Sequence, residues 1–228
     1  MGISFTWLGH SAFSLDIDGH ALVFDPFLTG NPLGAKPASE VNAELILLTH
    51  AHGDHLGDTV DIAKRTGAKV VCNAEISYWM DKQGVKAHGQ NTGGSYSHDF
   101  VTVKQTIAFH SSSFPDGSYG GNPNGFIVTT KSGKRLYFAG DTALFRDMEL
   151  IGDEGIDVAF LPIGDNFTMG PDDSLRAIKY IRPRLVVPMH YNTFPVIAVD
   201  VAGWANRVNR ETMATPIVLD PGGTHKVA

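Results

Sequence analysis

Cysteine is nearly absent: Cys72 is the only one in 228 residues. A single thiol excludes an internal disulfide and leaves no thiolate cluster to hold a metal. It falls in Lys69-Val-Val-Cys72, an apolar strand-like run, and reads as a packing residue. Long apolar runs are missing as well. No stretch approaches the roughly 20 residues that a membrane span requires, and no basic segment precedes the first apolar one, Ile3-Ser-Phe-Thr-Trp-Leu8. A soluble, cytoplasmic protein is the expectation. Positive charge is in deficit too, with 18 Lys and Arg against 24 Asp and Glu and a formal net charge of -6. That balance argues against a nucleic-acid or anionic-membrane surface and leaves a small molecule as the expected partner.

What the chain has is 43% hydrophobic residues, enough for a sizeable core, and no repeat, charge run or Pro/Ser-rich linker divides it. One domain over residues 1–228 is expected. Short apolar runs at 3–8, 12–17 and 21–24 read as a meander, the last two joined by Asp18-Gly19. A loop with two prolines and two glycines, Asp25-Pro-Phe-Leu-Thr-Gly-Asn-Pro-Leu-Gly34, leads to a strand at 45–49. Alternation follows: helices near 56–65 and 74–82 around a strand at 69–72, then strands at 100–109, 125–130 and 135–139. The remainder alternates again, with strands at 157–163, 185–188 and 216–219 and helices near 143–151, 172–181 and 197–208. Elements fall into two similar halves. The fold class expected is α/β, an αββα sandwich of two mixed β-sheets flanked by helices.

The most informative segment is His50-Ala-His-Gly-Asp-His55, three imidazoles and a carboxylate in six residues at the end of the apolar run Glu44-Leu-Ile-Leu-Leu-Thr49. Imidazole nitrogen and carboxylate oxygen suit borderline divalent ions, zinc first among them. Alternation along an extended segment lets His50 and His52 face one ion, while Asp54 and His55 turn toward a second. Three further polar residues end apolar strands: His110 after 100–109, Asp141 after Leu136-Tyr-Phe-Ala-Gly140, and His190 after Leu185-Val-Val-Pro-Met189. Singly, each could be an ordinary satisfied polar residue, since burial unpaired costs several kcal/mol. Together they complete an inventory: His50, His52 and His110 for one ion, Asp54, His55 and His190 for the other, and Asp141 between them.

This order of motifs, His-x-His-x-Asp-His followed by a His, an Asp and a final His, resembles the metallo-β-lactamase superfamily over essentially the whole chain. The resemblance implies that superfamily's αββα fold, with the metals at one edge of the sandwich. More narrowly, Trp7-Leu-Gly-His-Ser11, Asp25-Pro26, Gly140-Asp-Thr142, Asn166-Phe-Thr-Met-Gly170 and Met189-His-Tyr-Asn192 are similar to metal-dependent hydrolases grouped with the ascorbate-6-phosphate lactonase branch. Flavodiiron relatives usually place a carboxylate where this chain has His52 and carry a flavin domain that 228 residues leave no room for. The long arm of tRNA-processing relatives has no counterpart. Hydrolysis is therefore favoured over redox chemistry. The resemblance also suggests assembly as a homo-oligomer.

Two cations about 3.5–4 Å apart share a water and lower its pKa, so a metal-bridging hydroxide is the expected nucleophile. Substrates of this chemistry are small esters, lactones or phosphodiesters. Asp54 is also placed to orient the hydroxide or relay its proton, and His10 reads as a proton-transfer or substrate-side residue, against the plainer reading of a core histidine. Asp25 is a candidate acceptor for a ligating histidine, or a turn-former before Pro26. Asn166, Phe167 and Met169 form a loop whose apolar pair is expected to be exposed and to line substrate; Tyr191 and Asn192 are expected to donate hydrogen bonds to it. The glycine-rich stretch 111–124 reads equally as a lid or a surface loop, and His20, His88, His98 and His225 as exposed. Zn2+ leads the metals, with Mn2+, Ni2+, Fe2+ and Co2+ accepted by the same donors. Two other readings keep the same ligands: an iron-dependent redox enzyme, and a non-catalytic metal-binding sensor.

Overall fold

The structure, a computed structural model, describes residues 2–227. The chain divides into two compact units, Met1–Gly94 with Ser111–Pro123 and Leu219–Ala228, and Ser95–His110 with Asn124–Val218. The first unit opens with an antiparallel meander, β1 (Ile3–Gly9), β2 (Ala12–Ile17) and β3 (His20–Phe24). In β2 the alternation is visible side chain by side chain, with Phe13, Leu15 and Ile17 buried and Asp16 exposed. Three parallel strands extend the sheet, β4 (Leu45–Leu47), β5 (Lys69–Asn73) and β6 (Ala87–Gln90), separated by helices α1 (Gly53–Leu56), α2 (Thr59–Thr66) and α3 (Ala74–Lys82). All of β4 is buried, as parallel strands covered on both faces require. Asn73 caps α3, its side-chain oxygen accepting from Ile76 N at 2.8 Å.

The second unit holds β7 (Ser95–Ser97), β8 (Val101–Ile107), β9 (Asn124–Thr130), β10 (Arg135–Phe138), β11 (Val158–Pro162), β12 (Leu185–Met189) and β13 (Thr215–Pro216). Its helices are α4 (Met148–Asp153), α5 (Pro171–Ile181) and α6 (Val201–Glu211). Pro171 at the first turn of α5, Asp172 and Asp173 beside it and Arg182 in a left-handed C-cap fix that helix at both ends. Finally β14 (Thr224–Val227) pairs antiparallel with β1.

The two sheets have the same design. One runs β14-β1-β2-β3-β4-β5-β6, the other β7-β8-β9-β10-β11-β12-β13. In each, the first three pairings are antiparallel and the last three parallel. These are two mixed sheets flanked by helices, in two similar halves. Position by position, β1 corresponds to β8 and β3 to β10, which makes His10 the counterpart of His110 and Asp25 the counterpart of Asp141.

Several elements differ from expectation. The helix near 56–65 is broken at Gly57, whose φ is +38°, where Asp58 N–H donates out of the helix to Pro26 O at 2.9 Å; the approach is so close that a Cβ on Gly57 would lie 2.6 Å from Pro26 O and Phe27 Cα. The helix near 143–151 starts only at Met148, since Thr142 and Ala143 are held extended against Phe109 by Phe109 N–H to Thr142 Oγ1 (3.0 Å) and Ala143 N–H to Phe109 O (3.1 Å). The strand at 216–219 is a two-residue pairing at Thr215–Pro216. Strands β6, β7 and β14 escape the sequence pattern because all three are sheet edges with few buried residues. His20, His88, His98 and His225 are half-buried rather than exposed; His20 pairs with Glu44 at 3.0 Å and His225 packs on Phe5. Among the described residues no helix is long and apolar enough to cross a membrane. Cys72 is fully buried, and burial pushes its thiol well above the ordinary range.

Candidate metal centre

In the first unit the donors are assembled from the ends of β1, β3 and β4. The strand β1 ends in a bulge that puts His10 at φ +55°, and the Trp7 indole N–H donates to His10 O at 2.9 Å to hold it there. A non-glycine residue in the left-handed region is strained, and such strain persists where surrounding contacts over-determine it. The His10 ring is fully buried, with Nε2 3.2 Å from Asp54 Oδ2.

Asp25, one residue past β3, is buried to 0% and serves three donors. Its Oδ1 accepts from Thr49 N–H at 2.8 Å, and its Oδ2 from the Thr49 hydroxyl at 2.6 Å and from His55 Nδ1 at 2.8 Å. Burial pushes the Asp25 carboxyl upward, and His55 and Thr49 oppose it. These bonds decide tautomers. With its proton held on Nδ1 by a carboxylate, His55 presents Nε2 as a lone pair, 3.9 Å from Asp54 Oδ2. The Thr49 hydroxyl, having donated to Asp25, accepts from His50 Nδ1 at 3.0 Å, so His50 too presents Nε2 as a lone pair. That atom lies 3.0 Å from His52 Nδ1. His10, Asp54 and His55 each offer a ligand atom within 4.8 Å of the other two.

In the second unit His110, Asp141 and His190 follow β8, β10 and β12. Asp141 is 2% exposed, and one of its oxygens, Oδ2, lies 3.0 Å from His190 Nε2 and 3.6 Å from His110 Nε2. Thr142 knits the strand ends: besides accepting from Phe109 N–H, it accepts from Met169 N–H at its carbonyl, 2.9 Å away.

Both donor sets fit a metal. Ligands about 2.0–2.1 Å from a tetrahedral ion lie about 3.4 Å from one another. The spacings of 3.0, 3.2, 3.0 and 3.6 Å straddle that value. Nitrogen lone pairs and carboxylate oxygens brought this close repel unless a proton or cation lies among them. Within the first unit the structure gathers His10, Asp25, His50, His52, Asp54 and His55; within the second it gathers His110, Asp141 and His190.

The weaker candidates fare differently. Phe167 is 54% exposed, as expected, but Met169 is 2% exposed and corrects the expectation of an exposed apolar pair. Its backbone bond to Thr142 turns that residue inward. Met169→Ala should therefore cost about 2–5 kcal/mol of stability and Phe167→Ala no more than about 0.5 kcal/mol, a contrast that urea unfolding measures directly. Asn166, at φ +51°, is an exposed turn residue. Tyr191 is buried. Asn192 closes a turn, its Oδ1 accepting from Val199 N–H at 2.7 Å. The stretch 111–124 is tied to its own unit: Phe114 stacks on Trp79 at 4.8 Å, and the Asn73 amide donates to Gly120 O and Asn122 O at 2.7 and 3.0 Å.

Sequence reasoning missed Asp58. Its carboxylate accepts from Leu28 N–H and Thr29 N–H, each at 2.9 Å, and from the Thr29 hydroxyl at 2.6 Å, fixing the loop that leaves Asp25. Nothing in the sequence signals this role, because the amides it serves lie about 30 residues earlier in the chain.

The β-lactamase superfamily domain matches residues 4–190, and the chain belongs to that superfamily, with the metallo-β-lactamase fold. It is 52% identical over 216 residues to a UPF0173 metal-dependent hydrolase of Thermus thermophilus, covering 95% of both chains. It is 48% identical over 223 residues to one of Symbiobacterium thermophilum, covering 96% of this chain and 97% of the other. Within the superfamily this chain is thus a member of the UPF0173 metal-dependent hydrolases. Igni18, a metallo hydrolase of the archaeon Ignicoccus hospitalis, superposes with a TM-score of 0.92 at 38% identity, covering 100% of this chain and 99% of that one. An isothiocyanate hydrolase from Delia radicum gut bacteria shares the fold, with a TM-score of 0.78 at 18% identity.

Proposed function

We propose that this metal-dependent hydrolase works with two divalent ions, zinc at both positions, on a small ester, lactone or phosphodiester. The observation that carries the reading is the tautomer control: Asp25 and Thr49 hold protons on the Nδ1 atoms of His55 and His50, which leaves both Nε2 atoms as ligands. His50, His52 and His110 would hold one ion, Asp54, His55 and His190 the other, and Asp141 both. When bound, such a pair of ions supplies Lewis acidity and a hydroxide nucleophile near neutral pH.

The chain's own residues supply the rest. His10, hydrogen-bonded to Asp54, stores or delivers a proton at Nε2, and Asp54 orients the nucleophile through its carboxylate. Phe167 offers an exposed apolar face to substrate. Tyr191 and the Asn192 amide nitrogen are the remaining hydrogen-bond donors assigned to it. The same donors accept Mn2+, Ni2+, Fe2+ and Co2+. A lactone substrate follows from the likeness to the ascorbate-6-phosphate lactonase branch, and a cytoplasmic homo-oligomer is the form we assign to the working enzyme.

Metal analysis tests this. Purified protein should carry close to two equivalents of divalent metal; chelation should abolish hydrolysis of aryl ester, lactone and phosphodiester probes, and Zn2+ should restore it. One tightly held equivalent, or iron with oxygen consumption and no hydrolysis, defeats the reading.

A further inference from the structure

The segment Ser111–Pro123 belongs to the first unit and touches the histidine-rich motif through a buried hydrogen bond. Ala51, the residue between His50 and His52, is fully buried, and its N–H donates to Ser112 Oγ at 3.2 Å. The same hydroxyl donates to Gly120 O at 2.9 Å, and Gly120 N–H returns to Ser112 O at 3.1 Å. Because Gly120 O takes the hydroxyl proton, the Ser112 lone pair is turned toward Ala51. Gly120 O is itself fixed by the Asn73 amide at 2.7 Å, and Asn73 is the cap of α3. No side chain fits at Gly120: a Cβ would lie 2.6 Å from Ser112 Oγ and collide with Ala51 Cβ. The peptide that joins two candidate ligands is thereby bolted, through one serine hydroxyl, to a capped helix.

We propose that Ser112 is a positioning residue for the His50 and His52 pair, fixing the Ala51 peptide so that both imidazoles are presented together before metal arrives. The proposal rests on the two-ion reading above, and it assigns Ser112 to one ion only. Outer partners that orient ligands typically change metal affinity by about 10–100-fold.

The test uses the full chain in metal-free and zinc-loaded forms. In metal-free protein, Ser112→Ala should speed amide exchange at Ala51 about tenfold, the effect of losing one hydrogen bond, and Ser112→Thr should restore it. In chelator competition with Zn2+, Ser112→Ala should weaken one equivalent about 10–100-fold and leave the other within about threefold, with Thr again restoring the loss. Ser112→Cys, which keeps the size of the side chain and gives up a strong acceptor, should weaken the same equivalent, and it takes over the test if Ser112→Ala does not fold. Faster Ala51 exchange with both equivalents bound as in wild type would make Ser112 merely structural and overturn the proposal; so would equal weakening of both. A His52→Ala arm separates the two readings. If His52→Ala leaves zinc binding unchanged, the ligand assignment fails; if it removes an equivalent that Ser112→Ala and Ser112→Cys leave intact, only the positioning claim fails.

Discussion

Asp141→Ala is expected to lower kcat/KM for any substrate the protein hydrolyses by at least about 10³-fold, the several kcal/mol that bound cations contribute to the transition state. One oxygen of Asp141 stands within 3.6 Å of two imidazole nitrogens, so its removal takes away the negative charge beside both, the charge that on the two-ion proposal helps to hold the cations. Little else in the second unit changes. Asp141 lies beyond β10, and the bonds that hold the segment in place belong to Thr142 and Phe109. Far-ultraviolet circular dichroism should be unaltered while metal content falls below two equivalents. Asp141→Asn sharpens the experiment, because it keeps the volume and one acceptor oxygen but loses the charge; activity near wild type in either variant, with full metal content, overturns the assignment.

The candidate ligands were legible in the sequence for two reasons: His50, His52, Asp54 and His55 crowd into six residues, and His110, Asp141 and His190 each end an apolar strand, a pattern that survives errors of several residues in where the strand stops. His110, Asp141 and His190 follow β8, β10 and β12 at distances of three, three and one residues, so rigid elements deliver all of them. The meander, α3 and α5 were legible for the same kind of reason: alternation, an Asn cap and a Pro first turn are local signals. What escaped is non-local. The break at Gly57 is set by the backbone of Pro26 and Phe27, some 30 residues earlier in the chain, and the late start of α4 by pairing with Phe109. Met169 was misread because an isolated Met carries no direction until a carbonyl, here that of Thr142, fixes its peptide. Asp58 and Ser112 are invisible for a related reason. Their function is to accept backbone N–H groups from segments far away in sequence, and only coordinates say which amides those are. The two similar halves were legible from the order of helices and strands, but the strand pairing that makes them equivalent was not: only the sheet order shows that His10 and Asp25 share topological positions with His110 and Asp141.

Asp25 gives the second large effect, and here stability and metal binding should separate. Asp25→Ala leaves the Thr49 N–H, the Thr49 hydroxyl and His55 Nδ1 buried without their acceptor. A buried donor left without its acceptor costs about 1–3 kcal/mol, so three cost about 3–5 kcal/mol at the lower end of that range; in a protein of this size each kcal/mol moves Tm by about 2–4 °C, so the metal-free variant should melt roughly 6–20 °C below wild type. Asp25→Asn fills the same volume and keeps one acceptor, which should recover part of that loss. It cannot recover the tautomer. A carboxamide has one acceptor oxygen for three donors, and its NH2 placed against His55 drives the imidazole proton to Nε2, where the ligand lone pair has to be. Asp25→Asn should therefore melt closer to wild type than Asp25→Ala and still bind its weaker Zn2+ about 10–100-fold less tightly than wild type does. Calorimetric melting of the metal-free forms beside zinc competition measures both quantities on the same samples. If Asn restored the metal along with the melting temperature, the carboxylate would matter only as packing, and the proton on His55 would have to be fixed by some group other than Asp25.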